Sequence, residues 1–260
     1  GENRWENRRE MVFDVIRRQR PDVIGLQEAL RFQLDEMRAA LPGYEEIGVG
    51  RDDGREKGEY SGILYRSDRL KLLESGNFWY SDTPEVPGSK HCGNTLPRMC
   101  SWGNFVFKDH PDRAFYHYNT HFDHISQPSR IKSARLLAAR IRTRAHPDPV
   151  IVTGDFNVGE DNPVIVYLTG RPGTVTGPGD EEPSPRLVDT FRALHRDARE
   201  VGTFNGFEGK QTGAKIDYIF MSRGVEALDA EILRDNREGR YPSDHFPIIA
   251  EVRIPAKRAR

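Results

Sequence analysis

The 260 residues carry 39 Lys plus Arg against 40 Asp plus Glu, a formal net charge of −1, with 36% hydrophobic and 30% charged residues. That balance fits a globular chain with a well-charged surface and lacks the basic excess common in proteins that hold long nucleic acids. The length suits one large domain with a substantial core, and no apolar run approaches the roughly 18 residues that cross a membrane as a helix.

A helix is predicted over residues 4–20, where Trp5, Val12, Val15 and Ile16 share one broad side and Pro21 stops the run. DVIGLQE, 22–28, is a short β-branched run expected to form a fully buried strand. A second helix over 31–41 ends at Pro42-Gly43. Strands are predicted at YSGILYR (60–66), LKLLESGNFWY (70–80), CSWGNFVFK (100–108) and AFYHYNTHF (114–122). In the helix at Arg130 to Arg144, Ile131, Ala134, Ala138 and Ile141 form the apolar stripe and leave the arginines on a solvated face. PVIVTGDF, 149–156, is a strand, and a short helix follows Asp161-Asn162-Pro163. Residues 169–185 have no period and read as a loop without the GK[ST] ending of a phosphate-binding P-loop. AKIDYIFM (214–221), VEALDAEIL (225–233) and FPIIAEVRI (246–254) close the chain as strands. Alternating strands and helices with hairpins mixed in imply an α/β fold of mixed sheets covered by helices, in one domain over 1–260.

Cys92 and Cys100, the only cysteines, either pair across a loop or stay reduced, and no cysteine or histidine spacing suits zinc. A chain opening on Gly1 is expected to be a fragment or a processed product, so its compartment is left open. It is taken as a monomer.

Five polar clusters share one kind of position, the end of an apolar strand: Gln27-Glu28, NTHFDH (119–124), GDFN (154–157), Lys215-Ile216-Asp217, and Ser243-Asp244-His245. Each alone has a plain structural explanation as a cap, an Asx-turn or a buried histidine. Together they put Glu28, Asp155, Asp217 and Asp244, the amide of Asn157 and the imidazoles of His121 and His245 where loops build sites on a rigid scaffold. Hard oxygen donors of this kind suit Mg²⁺ or Mn²⁺. With imidazoles nearby they suit attack of water on a phosphate ester, with Asp217 placed to fix the tautomer of His245.

LQE (26–28), NTHFDH, TGDFN (153–157), IDYIF (216–220) and YPSDHFP (241–247) resemble, in order, the signature of the endonuclease/exonuclease/phosphatase superfamily. GENRWENRR and VGRDDGREKGEYSGILY look like an uncharacterised bacterial branch of it. The resemblance implies a four-layer sandwich, two mixed sheets packed face to face with helices outside. It also implies a first strand, ending in an Asn that enters the site, which these residues lack. It makes Glu28 the main metal ligand, supported by Asp244. His245 becomes the general base paired with Asp217, Asp155 and Asn157 position nucleophile and phosphate, and His121 donates to the phosphate; Glu59, before the strand YSGILY, is either the partner of His121 or a surface charge.

Substrate choice is less constrained. Arg98 offers a bidentate phosphate clamp, His124 and Asp123 extend the same loop, and Trp79 and Trp102 offer stacking faces or core packing. The leading expectation is a Mg²⁺- or Mn²⁺-dependent phosphodiesterase or nuclease acting on a nucleotide or exposed phosphodiester. The alternatives are a phosphomonoesterase on a phosphorylated sugar, inositol or lipid head group, and a binding protein that kept the fold without catalysis.

Overall fold

The computed structural model of the protein describes residues 1–91, 93–172 and 183–257. Cys92 and most of the loop at 169–185 therefore lie outside the described residues, while Cys100 is a buried free thiol. In chain order the elements are α1 (Trp5–Gln19), β1 (Val23–Gly25), α2 (Arg31–Ala40), β2 (Tyr44–Ile47), β3 (Ile63–Arg66), β4 (Leu70–Trp79), β5 (Met99–Phe107) and β6 (Ala114–His121). There follow α3 (Gln127–Arg142), β7 (Val150–Asp155), α4 (Pro163–Thr169), β8 (Val188–Asp189), α5 (Thr190–Leu194), β9 (Asp217–Met221), β10 (Glu226–Ile232) and β11 (Ile248–Arg253). The sequence reading omits β2, β8 and α5, which at two to five residues are too short to show a period.

One six-stranded mixed sheet runs β4-β5-β6-β7-β9-β8, with β6 and β7 parallel and the other neighbours antiparallel. On one face Tyr116, Tyr118, Phe122, Val152, Phe156, Tyr218 and Phe220 pack with Leu137 and Ile141 of α3 and Val164 and Leu168 of α4. On the other, Phe105, Phe115, Ile151 and Met221 meet Ile47, Ile63 and Tyr65 of a three-stranded sheet, order β1-β3-β2. The outer face of that smaller sheet is covered by Trp5, Phe13 and Ile16 of α1 and Leu34 and Met37 of α2. Three apolar clusters thus separate four layers, the α/β sandwich expected.

The second layer departs from expectation, because it is divided. β10 and β11 form a separate two-stranded sheet, and both parts of the layer are antiparallel rather than mixed. A groove of about 940 Å³ lies between them, lined by Val23, Ile24 and Gly25 on one side and Ile248 to Arg253 on the other. β1 is therefore half-buried along its length, not the fully buried strand expected, since its free edge faces that groove. The layer is open between these two edges.

The Arg-rich helix also corrects its reading. Arg130 is 8% exposed and donates Nη1 to the carbonyl of Asp123 at 2.8 Å. It ties α3 to the NTHFDH loop instead of facing solvent.

Candidate active site

Strand parity builds the site. Along β6, Phe115, His117, Asn119 and His121 alternate with Tyr116, Tyr118 and Thr120, and the register places His121 opposite Asp155 on β7. Asp155 in turn lies opposite Asp217 on β9, so the three side chains form one row across adjacent strand ends, facing the inter-sheet side. The next residues along, Phe122 and Phe156, point to the helix layer, where both are wholly buried with ring centroids 4.8 Å apart. Burying each contributes about 2–3 kcal/mol and fixes the direction of its polar neighbour.

TGDFN turns sharply after the strand. The Asn157 N–H donates to Asp155 Oδ1 at 2.8 Å, an Asx-turn, and Asn157 adopts φ 55°. Gly154 is required by a neighbouring backbone rather than by a ligand, since a Cβ there would come within 2.2 Å of the Thr120 carbonyl on the parallel strand. Glu28 also adopts a left-handed φ, 60°, which is costly for a residue with a Cβ and marks a constrained site loop.

That loop is held from below. Asn119 donates Nδ2 to the carbonyls of Leu26 and Gly62, both at 2.8 Å, and its Oδ1 accepts from Gln27 Nε2 at 2.7 Å and Thr153 Oγ1 at 3.0 Å. Gly25 makes room for this, because a Cβ would sit 2.4 Å from Asn119 Oδ1. Thr203 does the same for Asp217, its Oγ1 accepting from the N–H groups of Ile216 and Asp217. Asn119 was read as part of a motif without a task of its own. Thr203 carries no local signal, because its partners come from a strand fourteen residues on.

His245 Nδ1 lies 2.8 Å from Asp217 Oδ2, and His245 Nε2 lies 4.0 Å from Asp155 Oδ2. Burial disfavours the charged ring, but the Asp217 hydrogen bond with the charges of Asp217, Asp155 and Asp244 outweighs it and raises His245 to about 9. Burial, then the Asp217 charge, pushes Asp155 up to about 7. On the other side of the row, His121 Nε2 is 3.5 Å from Asp155 Oδ2 and 3.9 Å from Glu28 Oε1. Burial and the nearby Arg98 hold His121 well below the usual histidine range, so it is neutral.

Among the described residues, two sets of donor atoms could hold a cation: Glu28, Glu59 and His121, and Asp155, Asp217 and His245, the atoms of each set lying within 4.8 Å of one another. Asp244 belongs to neither set. Its carbonyl accepts from the N–H groups of Asn205 and Gly206, and its Oδ1 accepts from Ser243 Oγ at 3.2 Å. Glu59 pairs with Arg51, and burial raises its carboxyl above the usual range. Arg98 is 3% exposed, with both terminal nitrogens on histidine rings, and Asp123 is wholly buried, its Oδ1 accepting from Ile125 and Ser126 N–H. His124 is exposed. Trp79 is buried and donates to the Arg51 carbonyl, and Trp102 packs beside Tyr116 and Tyr118. Arg8, absent from the sequence reading, donates to the Pro242 carbonyl at 2.8 Å, close enough to Asp244 and Glu28 to feel both charges.

The four layers and the row of strand-end polar side chains define a DNase-I-like α/β sandwich. The sequence pattern of the Endonuclease/Exonuclease/phosphatase family matches residues 1–245, and the chain belongs to that family. A solved family protein from Bacteroides thetaiotaomicron is 37% identical, with TM-score 0.84 over 96% of this chain and 87% of that one. The mannosyl-6-phosphatase of the same organism is 37% identical, with TM-score 0.83 over 97% of this chain and 92% of its own. Uncharacterized protein L388 of Acanthamoeba polyphaga mimivirus is 30% identical over 95% of this chain and 91% of its own length.

Proposed function

We propose that this chain hydrolyses phosphate esters with a divalent cation, Mg²⁺ or Mn²⁺, and an imidazole-activated water. The observation that carries the proposal is the His245–Asp217 pair at 2.8 Å, aimed across Asp155 toward His121. The donor chemistry fits a hard cation: Glu28, Asp155, Asp217 and Glu59 supply carboxylate oxygens, and burial, with the Asp217 charge beside it, pushes Asp155 up to about 7. Glu28 would hold the cation, with Asp155 within reach and Asp244 contributing charge from the next loop. The cation supplies charge compensation for the phosphoryl oxygens.

Asp217 accepts from His245 Nδ1–H, so Nε2 is the atom that takes a proton from water once the ring, raised to about 9, has lost its own Nε2 proton. His121 and Asn157 offer N–H donors on the opposite side of Asp155, where phosphoryl oxygens sit. Such a site serves a phosphodiester or a phosphomonoester. The 37% identity to a mannosyl-6-phosphatase over nearly the whole chain favours a phosphorylated sugar monoester, with a phosphodiester as the second reading. The near-neutral net charge also disfavours long duplex DNA.

The test is turnover with Mg²⁺ or Mn²⁺ on hexose 6-phosphates, an aryl monoester, a bis-aryl phosphodiester and single-stranded DNA. Release of inorganic phosphate from the sugar esters is expected. Turnover confined to the diesters selects the second reading, and none on any substrate refutes hydrolysis of these classes.

A further inference from the structure

Arg98, at the entrance to β5, is nearly inaccessible, and its backbone is fixed by the Tyr80 N–H donating to its carbonyl at 2.8 Å. Its guanidinium reaches two rings at once: Nη1 is 2.9 Å from His121 Nδ1 and Nη2 is 2.9 Å from His124 Nδ1. Asp123, between those histidines in sequence, places Oδ2 3.8 Å from Arg98 Nε and holds its other oxygen on two backbone N–H groups. The guanidinium is thus held on three sides.

An arginine guanidinium carries donors only and stays protonated. A ring nitrogen that faces it at hydrogen-bond distance must offer a lone pair. We propose that Arg98 is a positioning residue that fixes both His121 and His124 as Nε2–H tautomers, so that each presents a proton donor to the substrate phosphate. This rests on the phosphate-ester reading for its purpose, but not for its geometry.

Asn157 faces the same ring from its other side, and only one of the two ring nitrogens can accept. Its Nδ2 lies 3.0 Å from the Phe122 carbonyl, which sets the amide with its nitrogen on that side, because the opposite orientation would face two carbonyl oxygens at each other. The same Nδ2 lies 3.1 Å from His121 Nε2. With Arg98 on Nδ1, that ring nitrogen also carries hydrogen, so two N–H donors stand side by side. The nearest carboxylate oxygens to His121 Nε2, on Asp155 and Glu28, are 3.5 and 3.9 Å away. A shared anionic oxygen satisfies both donors, as a phosphoryl oxygen would. Arg98 itself is 3% exposed, with both terminal nitrogens on the two rings. It acts through the two rings, which revises the direct phosphate clamp expected from the sequence.

The experiment is a long-range ¹H–¹⁵N correlation spectrum of the full chain labelled at histidine, near neutral pH and without substrate. Both rings are expected as Nε2–H tautomers in the wild type. Nδ1–H in either ring overturns the proposal, whatever the variants or activity assays show. Arg98→Met keeps the length of the stem without the donors, and mixed tautomers are expected at both rings. Arg98→Lys has one ammonium and should retain only one of the two. Unchanged Nε2–H tautomers in a folded Arg98→Met protein also overturn the proposal. On a substrate that turns over, Arg98→Met should lower kcat about 10- to 100-fold, with partial recovery in Arg98→Lys. Because the spectra need no turnover, failure of the hydrolase reading is told apart from failure of this one.

Discussion

Replacing Asp217 by Asn removes the carboxylate that holds His245, and the structure gives the size of the effect. His245 stands at about 9 against an ordinary 6.5, and Asp217 supplies the largest opposition to the burial that would lower it. A shift of about 2.5 units at 1.36 kcal/mol each is an upper bound near 3 kcal/mol. A histidine raised in the folded state contributes stability that is fully present below pH 6.5 and is lost as pH rises through about 9. Asp155 responds in the same sense. Its carboxyl, raised to about 7 partly by the Asp217 charge, penalises the folded state increasingly as pH rises from its unfolded value toward 7, and the variant relieves that penalty. Urea unfolding of metal-free Asp217→Asn should therefore show a deficit of about 2–3 kcal/mol at pH 6 that shrinks or reverses by pH 9.5. NMR titration should find His245 one to two units lower, roughly, since Asp155 and Asp244 still act on it. A deficit that is constant from pH 6 to 9.5, or an unmoved His245 titration, would refute the electrostatic account of this pair.

His245→Ala and Asp155→Ala should each lower kcat/KM about 10²- to 10⁴-fold on whichever ester is turned over, read by phosphate release or product chromatography, while retaining a cooperative melt. Chelator-treated protein should gain thermal stability on adding Mg²⁺ or Mn²⁺, about 2.7 kcal/mol at a hundred times the dissociation constant, and Glu28→Gln should blunt that gain. An identical melting response in Glu28→Gln would remove Glu28 from the cation site. Gly154→Ala should destabilise by about 3 kcal/mol, because the new methyl meets the Thr120 carbonyl at 2.2 Å, and a chemical denaturation midpoint equal to wild type would contradict that clash.

Residues that act through their own chemistry at a strand end were legible. His121, Asp155 and Asp217 could be placed together because apolar alternation fixes which face each occupies, and the register then aligns them. Residues that act on other residues were not. Asn119 and Thr203 look like ordinary polar side chains until the chain is folded, because their partners lie on other elements. Arg98 was legible as a candidate cation, but nothing in LPRMCSW says that its guanidinium faces the rings of His121 and His124. β2 and β8 were lost for a different reason: a pairing of two to four residues leaves no periodicity to read.

The groove dividing the second layer bears on the site mechanically. β10 and β11 contact α5 and β9 on one side, and the segment between them is tied to α1 by the Arg18–Asp235 and Arg237–Asp14 ion pairs and by Arg8 donating to the Pro242 carbonyl. The His245 loop leads directly into β11, whereas Asp217 starts β9 in the large sheet. The 2.8 Å bond between them therefore joins the β11 side of the second layer to the six-stranded sheet. Gln27, Asp217, Ser243 and His245 line the same groove, so its mouth opens onto the dyad. Two strand edges facing one slot leave backbone donors and acceptors on both of its walls, the arrangement to which a further extended segment can pair.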